Sequence, residues 1–136
     1  MLTAIVAAVL LLLCLAVVVA VAKDRGPSPD DVAVSYEHAW DRLDFDALWT
    51  LSAAELRDGL DRKHFIAAKR SAYADRRELH GLAAGITVDD SLARRDNAIV
   101  TTRVQLRDGS VVHNHVQLVR RSSKWQIVAY AMVPAG

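Results

Sequence analysis

Ala98-Ile99-Val100-Thr101-Thr102-Arg103-Val104-Gln105-Leu106, then Arg107-Asp108-Gly109-Ser110, then Val111-Val112-His113-Asn114-His115-Val116-Gln117-Leu118-Val119, decides the fold class of this 136-residue chain. Apolar and β-branched residues dominate both arms and tend to alternate, as in half-buried strands, and Asp-Gly between them is a hairpin signal. Ile86-Thr87-Val88 and Trp125 to Val133 read the same way, with turns at Arg95-Asp96-Asn97 and Ser122-Ser123. The spacing therefore predicts four strands in an antiparallel meander.

Upstream of Gly81 the period is helical. Ser28-Pro29-Asp30-Asp31 combines an N-cap Ser, Pro at the first helical position and acids at the positive end of the helix dipole. Val32, Tyr36, Trp40 and Leu43 then share one face, so a first helix should run to about Leu43. Asp44-Phe45-Asp46 re-caps a short second helix carrying Ala47, Leu48 and Trp49, and Ser52-Ala53-Ala54-Glu55 reads as a further capping box. Asp61 caps a third helix, expected through about Asp75 with Phe65, Ile66, Ala72 and Tyr73 on its apolar side. The expected class is α+β: an N-terminal transmembrane helix, then three helices packed on a curved four-stranded antiparallel sheet.

That order of elements, together with Leu43-Asp44-Phe45-Asp46-Ala47-Leu48-Trp49 and Lys124-Trp125-Gln126-Ile127-Val128, resembles the nuclear transport factor 2-like superfamily over Pro29 to Val133. The resemblance implies a cone whose helices and concave sheet enclose a pocket, and frequent pairing through the sheet. It implies functions from small-molecule isomerases and dehydratases to non-catalytic binding and assembly modules, so it narrows function little.

The N-terminus is of another kind. Leu2 to Ala22 is a chargeless apolar run of 21 residues ending at Lys23-Asp24-Arg25. As a helix it would reach roughly 31 Å, close to the hydrocarbon thickness of a bilayer. Residues 1–22 are thus expected to anchor the chain by a single pass, with a short linker at 23–28 and one domain at 29–136. Lys23 and Arg25 follow the run and no Lys or Arg precedes it, which places the domain on the cytoplasmic side of the cell membrane. Ala20-Val21-Ala22 has the form of a signal-peptidase site, but the basic n-region and short apolar stretch of a signal peptide are missing. Cys14 reads as an apolar filler of the span, and the absence of any other cysteine excludes a disulfide framework or thiol catalysis in the domain.

Two constellations stand out. With Asp108-Gly109 as a two-residue turn, Val104 pairs with His113 and Thr102 with His115, and Tyr130 and Met132 fall opposite the two histidines. His113, His115 and Tyr130 would then line a pocket that Tyr36 and Asp41 complete, and an imidazole titrating near pH ~6.5 could act there as acid or base. A single bulge reverses these faces. Ile99, Val116, Leu118, Trp125, Ile127, Ala129 and Ala131 form the competing face. The second constellation is Arg62-Lys63, Lys69-Arg70 and Arg76-Arg77, recurring at heptad spacing as a basic stripe on the third helix that could meet anionic lipid.

No cofactor or metal is expected: His113-x-His115 lacks a third ligand at diagnostic spacing, and there is no Gly-rich phosphate loop or nucleophile elbow. The net charge is +1 and no aromatic platform interleaves the basic pairs, which argues against nucleic acid. The functional expectation is a membrane-tethered, non-enzymatic binding or assembly module whose partner is a protein, itself included, or a small apolar ligand. The alternative is an isomerase- or dehydratase-type enzyme using the His113/His115/Tyr130 pocket on a lipophilic substrate.

Overall fold

The computed structural model describes residues 3–12 and 26–134. Residues 3–12 are helical with every side chain exposed. Among the described residues no helix is long and apolar enough to cross a membrane. Residues 2 and 13–22 of the expected span, and 23–25 of the linker, lie outside the described residues.

The domain begins with α1 (Pro29–Arg42), α2 (Phe45–Leu51) and α3 (Arg62–Ala72). Each start follows from a side-chain cap. Ser28 and Asp31 exchange the two hydrogen bonds of a capping box, Asp44 accepts from the Ala47 amide, and Asp61 accepts from the His64 amide. Leu43 ends α1 in the left-handed region, its N–H reaching back to the last carbonyls. The third helix stops at Ala72, three residues short of expectation, and single 3₁₀ turns lie at Ala54–Leu56, between the second and third helices, and at Arg77–Leu79, after the third. Ser52 caps no helix start: it ends α2 and is buried, while the next N–H, that of Ala53, bonds the Ile127 carbonyl at 2.8 Å.

Four strands follow, β1 (Ala83–Ala93), β2 (Asn97–Leu106), β3 (Val111–Arg121) and β4 (Lys124–Met132), in spatial order β1-β2-β3-β4 with every pair antiparallel. β1 is far longer than Ile86-Thr87-Val88 and carries two register shifts. The helices cover one face. Val32, Ala33, Tyr36 and Ala39 of α1, Phe45 and Leu48 of α2 and Phe65 of α3 bury against Ala98, Val100, Val116, Leu118 and Ile127 of the sheet.

Two irregularities decide which side chains face the helices. The β2–β3 connection is a three-residue loop, Arg107-Asp108-Gly109, closed by the Leu106 N–H on the Ser110 carbonyl at 2.8 Å. Gly109 sits at φ 91°, a conformation that other residues adopt at a cost. Asp108, by contrast, holds an ordinary φ and its carboxylate accepts from the Ser110 N–H and Oγ. The expected two-residue turn is therefore corrected, and the odd residue moves the whole register by one: Val104 pairs with Val112, Thr102 with Asn114 and Arg103 with His113. The second irregularity is a bulge in β4. Leu118 pairs with Ile127 but Val116 with Tyr130, so Val128 is the extra residue and both Ile127 and Tyr130 point to the helices.

Candidate functional site

α1 brings Glu37 beneath the helical layer, one position from Tyr36 and one turn after Ala33. The residue is only 5% exposed, an unusual place for a carboxylate unless its lone pairs are occupied. They are. Thr102 Oγ1 of β2 donates to Oε1 at 2.6 Å, Asn114 Nδ2 of β3 donates to the same oxygen at 2.9 Å, and the Tyr130 hydroxyl of β4 donates to Oε2 at 2.8 Å. Asn114 Nδ2 also donates to the Tyr130 oxygen at 2.9 Å, closing the network. Three strands thus converge on one helix side chain, each through a residue that the observed register turns inward.

Burial is the main reason the Tyr130 phenol titrates far above the ordinary tyrosine range, and the neighbouring Glu37 carboxylate adds to it. Burial likewise pushes Tyr36 up. Tyr36 meets Tyr130 edge-on, ring centroids 5.1 Å apart, and Trp40 at 6.4 Å. It is a packing residue below the network.

Above the network opens a cleft of about 440 Å³, within the range of small-molecule sites. Glu37, Asn114 and Tyr130 form its polar floor, and Leu79, Leu82, Val104, Leu106, Val112 and Met132 its apolar walls. Asp41 stands at the wall but is engaged: its Oδ1 accepts from the Ala83 N–H at 2.9 Å and its carbonyl from the Gly81 N–H at 2.8 Å, pinning the start of β1 to α1.

Of the five pocket residues expected from sequence, Tyr130 reaches the floor, Asp41 the wall and Tyr36 the core beneath. His113 and His115 are corrected: the one-residue register change puts both on the outer face of the sheet, where His115 is exposed and His113 Nε2 lies 2.8 Å from Asp89 Oδ2. Glu37, Thr102 and Asn114 escaped the sequence reading. Glu37 was detectable from its place in the apolar stripe of α1. Thr102 and Asn114 become visible only once the loop length is known.

The basic stripe is also rearranged. Arg62, Lys63, Lys69 and Arg70 lie on α3, but Arg76 and Arg77 fall beyond its end, so the six do not share one helix face. Arg62 pairs with Asp46, while Lys69 approaches Asp58 at 3.8 Å and lies over the rings of Trp40 and Phe65.

A second hollow, about 560 Å³, lies at the other end of the sheet between the β3–β4 turn and the chain entering α1. Trp49, Leu51, Val32 and Trp125 line it, with Arg57 and Lys124 at its cationic edge. The Arg57 guanidinium stacks 3.7 Å from the Trp49 ring centroid and its Nε donates to the Trp49 carbonyl at 3.2 Å. Among the described residues no group of three or more His, Cys, Asp or Glu is arranged to hold a metal.

The architecture has counterparts among solved structures. A protein from Campylobacter jejuni, provisionally described as an NTF2-like transpeptidase, superposes with a TM-score of 0.59 at 16% identity over 74% of this chain and 97% of its own. A SEC-C motif containing protein from Rhodopseudomonas palustris gives 0.55 at 18% identity, covering 79% of this chain and 80% of that one. An NTF-2 like protein of unknown function from Silicibacter pomeroyi gives 0.49 at 16% identity, over 75% and 90%. No protein-family profile matches the chain, and no curated protein matches it. At these identities the likeness is one of fold: the domain has the nuclear transport factor 2-like architecture.

Proposed function

We propose that this protein is a membrane-tethered, non-catalytic binding module that takes a small, neutral, apolar ligand into the Glu37 cleft. The observation that carries the reading is the state of the floor. Thr102, Asn114 and Tyr130 direct their donors to Glu37 and to one another, leaving none of the floor's donors for a substrate, while the walls are mostly carbon with Asp41 their one carboxylate. Such a site holds a ligand by burial of apolar surface, at roughly 25 cal/mol per Å², and repels anions through the carboxylates of Glu37 and Asp41. The enzyme alternative built on His113 and His115 is not retained, because both face away from the cleft. The tether reading is supported by the apolar run of residues 2–22, the cytoplasmic placement by Lys23 and Arg25. The basic residues left exposed at Lys63, Arg70, Arg76 and Arg77 would add long-range attraction to an anionic leaflet.

The core runs from Val32 to Ile127, so a fragment of residues 26–136 retains every core contact and should fold. Titrating it with the neutral fluorophore N-phenyl-1-naphthylamine should give saturable enhancement. Val112→Trp, which fills the cleft from its wall, should abolish the signal without lowering the melting temperature. Equal binding to parent and variant would overturn the assignment of the site.

A further inference from the structure

We propose that the hollow between Trp49 and Trp125 is the face on which the domain rests against an anionic bilayer, its aromatic rings at headgroup depth and Arg57 and Lys124 meeting lipid phosphates. The proposal rests on the reading of residues 2–22 as a tether.

Chain geometry supplies the first argument. Only Lys23, Asp24 and Arg25 separate Ala22 from Gly26, so Gly26 lies at most about 14 Å from the end of the apolar run. Headgroups occupy roughly 5–8 Å beyond the hydrocarbon on each side. Whatever surface surrounds Gly26 must therefore lie at or within a few ångströms of the lipid headgroups. Gly26 and Pro27 are themselves walls of the hollow.

Composition supplies the second. Large amphipathic rings beside cations on long stems are the residues that favour a membrane interface, because the ring enters the apolar boundary while the charge stays with phosphate. Trp49 and Trp125 are both only partly buried, and half-buried Leu51 continues the apolar surface between them. The turn Ser122-Ser123, small and polar, lets the β3–β4 tip approach without displacing bulky groups. The opposite end of the sheet offers no such set: Arg107-Asp108-Gly109-Ser110 has no aromatic residue, and its carboxylate is occupied by Ser110.

The test uses the full chain in a Cys14→Ser background, reconstituted into vesicles of phosphatidylglycerol and phosphatidylcholine brominated near the top of the acyl chains. A bimane fluorophore is placed in turn at three exposed positions, Lys124→Cys beside the hollow, Arg107→Cys at the far end of the sheet and Arg70→Cys on α3. Loss of emission at 124 with emission unchanged at 107 and 70 is expected, and raising salt should weaken the loss at 124. Emission unchanged at 124 in vesicle-bound chain overturns the proposal while leaving the tether intact, and quenching only at 70 transfers docking to the third helix. Failure of the chain to float with the vesicles in high salt removes the tether and this proposal together.

Discussion

Glu37 concentrates more of this domain's polar energetics than any other single side chain. Its oxygens accept from Thr102, Asn114 and Tyr130, so removing it takes the acceptor from the Thr102 and Tyr130 hydroxyls and one of two acceptors from the Asn114 amide. Glu37→Leu should therefore destabilise the domain by about 3–5 kcal/mol, and Glu37→Gln by about 1–3, since the amide opposes a donor to a donor on one side. Urea denaturation of the 26–136 fragment checks both, and a loss below 1 kcal/mol for the leucine variant, well under the roughly 3 expected, would show that the network contributes little. The same network makes an alkaline prediction. In the folded state Tyr130 keeps its proton well above the pH of about 10 at which unfolded tyrosine ionises, and burial raises Tyr36 in the same direction. Above that pH the unfolded chain binds fewer protons than the native one. Stability is then complete below pH ~10 and falls as pH rises beyond it. Absorbance at 295 nm should show two of the three tyrosines ionising only as the domain unfolds, and smooth titration of all three before unfolding would contradict the burial described.

At the scale of the elements, two extra residues separate the sequence reading from the site. The strands, their order and the caps of the three helices were legible because Ser28, Asp44 and Asp61 act locally and the period-2 pattern spans whole strands. Register is not local in that sense. Asp-Gly is compatible with a two-residue or a three-residue loop, and the choice rests on Asp108 turning its carboxylate to Ser110 while Gly109 takes the left-handed position. That one residue exchanged His113 and His115 for Asn114 in the interior. The β4 bulge then returned Tyr130 to the inner face, where a strictly alternating strand would have Trp125 and Ile127 inside and Tyr130 outside. Deleting Val128 should remove the bulge yet leave Ala129 opposite Gln117 and Tyr130 opposite Val116, so Tyr130 should stay on the inner face and titrate well above pH ~10, as it should in Val128→Ala. A Tyr130 titration that falls towards pH ~10 in the deletion variant would mean that the strand shifts register instead of closing over the deletion. Ile127, fully buried on the other side of the bulge, should cost about 2–5 kcal/mol on truncation to Ala, and half-buried Trp125 less than the ~3–5 typical of a core tryptophan.

For the whole molecule, the question is how a domain with a cleft at one end and a cationic aromatic face at the other is presented to the cell. The two lie near opposite ends of the strands: Leu106, Val112 and Met132 border the cleft, while Ser122, Ser123 and Lys124 border the hollow beside the entering chain. A domain tethered at Gly26 and resting on the hollow would hold the cleft away from the lipid, open to a ligand carried in the aqueous phase. The cytoplasmic side proposed above rests on charge. Translocating the domain would carry Lys23 and Arg25, flanking the run, across the bilayer against the positive-inside bias. A reporter active only outside the cytoplasm, fused after Gly136, should accordingly be silent, and one active only inside should be bright. Swapping the bias, by Lys23→Gln and Arg25→Gln together with two lysines placed before Leu2, should invert both signals. Strong external activity of the unmodified fusion, or a mature chain beginning at Lys23, would contradict the cytoplasmic placement, and the phosphate-facing role of Arg57 and Lys124 would then have to be tested against the lipids of the opposite leaflet.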